Sequence, residues 1–107
     1  MRIREFIDER GRSPFAEWFD ALDAQAAAKV TVALMRMEQG NLSNTKSVGG
    51  GVEECRIVWG PGYRLYFGRD GDTLILLLCG GTRHRQQDDI GDARAHWAAY
   101  KRLKKEG

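Results

Sequence analysis

The chain has 107 residues, enough for one modest core and too few for two. Its 30% charged and 42% apolar residues are those of an ordinary folded domain, and a net charge of only +2 excludes a broadly basic protein, so a polyanion must be met by local clusters. The longest apolar run, 74–79, is too short to span a bilayer, and residues 1–6 lack the apolar stretch of a secretory signal, which predicts a cytoplasmic protein without membrane contact.

Residues 2–8 alternate in character and predict a short strand. Ser13-Pro14 then opens a helix: serine caps the first free N–H groups, and proline fits a position whose N–H has no partner anyway. Phe15, Trp18, Phe19 and Leu22 follow at helical spacing. Asp23 caps a second helix with Ala26, Val30, Ala33, Leu34 and Met37 on one face, and Gly40-Asn41 closes it. The two read as a helical hairpin. Residues 42–51 predict a flexible loop ending in three glycines, which suits either close approach to a ligand or a mobile connector. Lys46 in that loop can reach a phosphate or simply be solvated.

Residues 52–59 and 63–68 predict two strands joined by Gly60-Pro61-Gly62. Alternate side chains of a strand point to opposite faces. Cys55, Ile57 and Trp59 share a face that Tyr63, Leu65 and Phe67 extend, while the other parity carries Glu54, Arg56, Arg64 and Tyr66. Asp70-Gly71 makes the next turn. Residues 74–79 are apolar at both parities, which predicts a strand covered on both faces, ended by Gly80-Gly81. A last helix over 88–105 has Ile90, Ala93, Trp97 and Tyr100 on one face. Its acids lead and its bases trail, as the helix dipole favours. Cys55 and Cys79 lie among apolar neighbours without zinc-ligand spacing and read as buried free thiols.

The predicted architecture is therefore a single α+β domain over 1–107, in the order β-α-α-β-β-β-α. An antiparallel sheet packs on the helical hairpin, the helices cover the Cys55/Trp59/Leu65 face, and the arginines face outward. Such a charged and aromatic front suits a phosphate-bearing ligand.

Several stretches carry a family likeness: Gly11-Arg12-Ser13-Pro14-Phe15 with Glu17-Trp18, Lys46-Ser47-Val48-Gly49, Gly51-Val52-Glu53-Glu54, Gly60-Pro61-Gly62-Tyr63-Arg64-Leu65-Tyr66-Phe67-Gly68, Leu76-Leu77-Leu78-Cys79-Gly80-Gly81 and Asp89-Ile90. Together they resemble the addiction-module killer proteins, the HigB-like branch of the RelE/ParE toxin superfamily. The resemblance runs over nearly the whole chain and implies a RelE-like fold. It also implies a type II toxin held by a cognate antitoxin, expected to be of helix-turn-helix type. RelE-like members cleave mRNA, commonly on the ribosome; ParE-like members poison DNA gyrase. By position, Arg64 corresponds to the family's central sheet arginine, Arg56 to a basic residue on the preceding strand, and Arg83 to a basic position that meets the RNA backbone. The chain departs from RelE in lacking the tyrosine that follows that position, reading Gln86-Gln87-Asp88-Asp89-Ile90 there.

Metal-independent RNA cleavage uses the 2′-hydroxyl as internal nucleophile. It needs a group to take that proton, a group to protonate the leaving oxygen, and cations for the charge building on phosphorus. Arg56, Arg64 and Arg83 suit the third task, because guanidinium binds phosphate oxygens in pairs and stays charged. His84 suits base or acid, since an ordinary imidazole exists in both states near neutral pH. Lys46, Arg85 and Tyr66 are the expected RNA contacts, Tyr66 by stacking or as a proton donor. The plainer alternatives are an Arg64–Glu54 ion pair and an idle loop histidine. No cofactor or metal is expected. The leading expectation is a translation-linked mRNA endonuclease, with a gyrase inhibitor or an inactive antitoxin-binding module as alternatives.

Overall fold

The computed structural model describes residues 1–106. Along the chain run β1 (Arg2–Glu5), α1 (Pro14–Asp20), α2 (Ala24–Glu38), β2 (Thr45–Gly49), β3 (Val52–Ile57), β4 (Tyr63–Asp70), β5 (Leu74–Thr82), a single 3₁₀ turn (Arg83–Arg85) and α3 (Gln86–Glu106). The strands form one five-stranded sheet in the order β1-β5-β4-β3-β2. The protein is thus α+β, with three departures from the expected arrangement.

The sheet is mixed rather than antiparallel. β1 returns through α1 and α2 to lie parallel to β5, with Ile3 opposite Ile75, while the other pairings are antiparallel. The expected loop at 42–51 contains an edge strand: Thr45 to Gly49 pairs with β3, with Lys46 opposite Glu54. The three glycines form the turn of that hairpin, all with positive φ, and they receive α3 rather than a ligand. A Cβ on Gly51 would lie 2.6 Å from Trp97 Nε1. The third departure concerns the sheet's two faces. The helical hairpin covers one, as expected, and α3 covers the other, so the arginine-bearing face is not open along its length.

The hairpin-side core joins Phe15, Val30 and Met37 to Cys55, Leu65, Phe67, Ile75 and Leu77. Local signals set the two helices. Ser13 Oγ accepts from the Ala16 N–H at 3.0 Å, and Asp23 Oδ1 accepts from the Ala26 N–H at 2.8 Å. Gly40 and Asn41 donate to the Met37 and Arg36 carbonyls at 2.9 Å each, the paired closure that a left-handed glycine allows after a helix.

The α3-side core contains Phe6, Val52, Tyr66, Leu76, Leu78, Cys79, Ile90, Ala93 and Trp97. The β4–β5 register slips between Tyr66 and Phe67, leaving Leu78 as an extra residue on β5. Leu78 and Cys79, adjacent in sequence, therefore both reach the α3 side. Glycines seat the helices closely against the strands. A Cβ on Gly68 would fall 2.4 Å from the Trp97 ring, one on Gly80 2.2 Å from the Trp18 ring of α1, and one on Gly81 1.8 Å from Asp89 Oδ2 of α3. The far end of α3 is pinned to the β4–β5 turn: the Tyr100 hydroxyl donates to Asp70 Oδ2 at 2.5 Å, and the Lys104 ammonium meets Asp70 Oδ1 at 2.6 Å. No described helix is long and apolar enough to cross a membrane.

Candidate functional site

Arg56 and Arg64 stand directly opposite each other on β3 and β4. Like charges placed so repel, and the arrangement persists only with compensation. Arg83 joins them because its backbone N–H donates to the Gly62 carbonyl at 3.0 Å, tying the end of β5 to the β3–β4 turn. The turn is closed by Trp59 N–H to Ile57 O at 3.0 Å and Gly62 N–H to Trp59 O at 3.1 Å. A depression of about 140 Å³ results, walled by the turn and lined by Arg56, Arg64 and Arg83. Three of the four expected catalytic residues thus share one concavity. His84 and Arg85 follow Arg83 on the exposed 3₁₀ turn and lie outside that lining.

The three arginines are not equivalent. Arg56 and Arg83 are exposed, and among the described residues neither has a carboxylate within ion-pair distance. Arg64 is buried, only 6% exposed, which corrects the expectation that it points freely outward. It lies on the same sheet face as Tyr66, the face on which α3 packs. Arg64 Nε sits 3.5 Å from Oε1 of Glu54, which is wholly buried, a charge contact without hydrogen-bond geometry. The ion pair anticipated as the plain alternative is therefore present, and Arg64 nonetheless lines the depression. Glu54 also accepts from Gln86 Nε2 at 2.9 Å through its other oxygen, and Lys46 Nζ approaches Oε1 at 4.0 Å.

Tyr66 requires the largest correction. It is completely buried against α3, so its ring is not free to stack on a base. Its hydroxyl has no hydrogen-bond partner among the described residues. Burial first, then the Glu54 and Asp89 carboxylates, push its ionisation well above the ordinary phenol range. Tyr66 is accordingly a fixed neutral phenol of the interior. Lys46 is exposed and, with Arg56, lines a further depression of about 320 Å³ along the β2 edge. Arg85 Nε lies 3.8 Å from Asp89 Oδ1 one helical turn on, and faces a different cavity, shared with Trp18 and His96. His96 stacks on Phe6 with ring centroids 5.0 Å apart, a packing role.

Two residues of this region, Gln86 and Asp89, had no expected role at the site. Gln86 holds Glu54 from above. Asp89 is buried against Gly81, and burial raises its carboxyl against the lowering effect of Arg85. A signal for both existed: a strand apolar at both parities demands cover on both faces, and a glycine within such a strand marks a close approach. Cys55 and Cys79 are free and buried on opposite sides of the sheet. The Cys79 thiol is pushed up to about 12, chiefly by burial, so it is inert as a nucleophile at neutral pH.

No family model matches the chain. A protein of Haemophilus influenzae, described as uncharacterized, is 38% identical to it over 81 residues, covering 75% of this chain and 82% of that protein. The chain belongs to that protein's family. The common region is most of both chains.

Proposed function

We propose that the protein is the toxin of a type II toxin–antitoxin pair and cleaves mRNA during translation, without a metal, on a RelE-like fold. The observation that carries this reading is the opposed Arg56–Arg64 pair with Arg83 around one depression, with a single carboxylate to balance them. Three guanidinium groups beside one buried carboxylate leave net positive charge, and a bridging anion removes the repulsion that the register imposes. The resemblance to HigB-like killer proteins names the anion as an RNA phosphate and a cognate antitoxin as partner.

In this reading Arg56 and Arg83, both free to move, take the non-bridging phosphate oxygens. Arg64, held by Glu54, presents its remaining N–H groups in a fixed direction. Charge building on phosphorus then meets donors that need no reorganisation. His84, next to Arg83 on the same turn, exchanges the proton with the 2′-hydroxyl or the leaving oxygen. Tyr66 has no part in proton transfer, because its side chain is wholly buried and does not line the depression. Lys46 and Arg85 steer the strand from either side.

The test is induced expression followed by mapping of transcript ends, with translation running and with it blocked. New ends that need translation are expected, and R83A should lower cleavage about 10²–10³-fold, as loss of one positioned charge donor does. H84A should lower it about 10²–10⁴-fold. Growth arrest with intact transcripts and inhibited gyrase supercoiling would replace this reading with the gyrase one.

A further inference from the structure

Beside the depression between the arginines lies a larger groove of about 420 Å³ between α2 and the ends of β2 and β3, and the two share Arg56, Ile57, Val58 and Trp59 as a common wall. The groove's far bank carries Lys29 and Arg36 of α2, both exposed, and its near bank carries Asn41, Ser43 and Asn44. None of the described residues lining it is acidic.

We infer that this groove is a second subsite for single-stranded RNA, continuing the strand whose scissile phosphate lies at Arg56, Arg64 and Arg83. The inference rests on the proposed nuclease reading and specifies its substrate as a strand of several nucleotides rather than one isolated linkage. Three features carry it. Arg56 belongs to both concavities, so it can bridge successive phosphates. Lys29 and Arg36 lie two helical turns apart on α2, which is the arrangement of a cationic rail along a backbone. The neutral amides and hydroxyl opposite them offer donors and acceptors to sugar hydroxyls and base edges without repelling phosphate. The Trp59 ring is already occupied, with Tyr63 stacked at 6.1 Å and Lys29 Nζ at 5.8 Å from its centroid. It fixes Lys29 at the junction instead of stacking on a base. An acidic amphipathic peptide would also find cations and apolar floor here; the Arg56 side chain shared with the arginine depression favours RNA.

The experiment uses the full chain and fluorescein-labelled 2′-O-methyl RNA, which binds but cannot be cleaved, at lengths of about three and about ten nucleotides. Anisotropy titrations at several salt concentrations are run on wild type, K29A/R36A and R83A. The longer strand should bind wild type more tightly than the shorter. K29A/R36A should weaken the longer strand about tenfold, since two charge-assisted contacts are lost, and leave the shorter one within about twofold. The logarithmic salt slope for the longer strand should fall by about 1.4, from two phosphate contacts at about 0.7 each. R83A should weaken both lengths. If K29A/R36A leaves both lengths unchanged while R83A weakens both, the second subsite is wrong and the arginine site stands. If neither length binds wild type, the RNA reading itself fails. If the groove variant keeps RNA affinity but loses binding of a synthetic acidic amphipathic peptide, the groove belongs to a protein partner and the inference is overturned.

Discussion

The two faces of the sheet are built by different rules. Under the α1–α2 hairpin, the strands present Cys55, Leu65, Phe67, Ile75 and Leu77 to Phe15, Val30 and Met37, and every one of these is apolar. Under α3, an apolar half around Tyr66, Leu76, Leu78 and Trp97 gives way toward the first turn of the helix to Glu54, Arg64 and Asp89, all buried. Among the described residues, the buried side-chain nitrogen and oxygen atoms without a hydrogen-bond partner gather at that end: Glu54 Oε1, Arg64 Nε, the Tyr66 hydroxyl and Asp89 Oδ2. Burying such groups opposes folding, and hydrophobic replacements of similar volume are often at least as stable. A face that keeps them beside an open cationic depression fits the ligand site proposed above, whereas the core under the hairpin is built by apolar packing alone.

That contrast can be broken in several ways, from large effects to small. On the apolar face, F67A should cost about 3–5 kcal/mol through lost burial and a cavity, read from urea denaturation. On the polar face, E54A should cost a similar amount, about 3–5 kcal/mol, because Arg64 is left buried without its carboxylate. The double replacement E54L/R64M should recover most of that loss while abolishing RNA cleavage. If the double variant is as unstable as E54A, the polar cluster is a structural requirement and the contrast collapses.

Glycine seats offer a sharper control. G80A meets the Trp18 ring on the hairpin side, G68A the Trp97 ring on the α3 side, and each should cost about 1–3 kcal/mol through forced repacking. Equal penalties would show that helix seating is alike on both faces and that only the polar end differs.

The smallest effects are in pH dependence, and the two ends of α3 should show opposite signs. Burial raises the Asp89 carboxyl, so the folded state favours its proton. That contribution is complete below the ordinary carboxylate range and is lost as pH rises through the folded value. D89N should therefore remove a decline in stability that sets in as pH rises above the ordinary carboxylate range. The hydrogen bonds from Lys104 and Tyr100 lower the Asp70 carboxyl, so its contribution is present above the ordinary range and lost as pH falls. D70N should lower the urea midpoint at neutral pH and leave it unchanged in acid. Slopes of the same sign in the two variants would contradict the burial difference between these carboxylates.

Much of the molecule follows from local chemistry. The caps at Ser13 and Asp23, the closure at Gly40, the turns at Gly60-Pro61-Gly62 and Asp70-Gly71, and the parity of Cys55, Leu65 and Phe67 are all readable from residue type and spacing. They depend on neighbours within a few positions, where sterics and hydrogen bonding leave little choice. The same parity rule brought Arg56 and Arg64 to one face, and the resemblance added Arg83, which the Gly62 carbonyl then draws to them. Tertiary structure alone decided the rest. The pairing of β1 with β5, the edge strand at 45–49 and the laying of α3 across the arginine face depend on residues dozens of positions apart. Alternation along a strand says that two faces differ, but not what will cover each. Only the packed helix, seated on Gly68 and Gly81, determined that Tyr66 is interior, that Arg64 is held by Glu54, and that the accessible cations are Arg56 and Arg83.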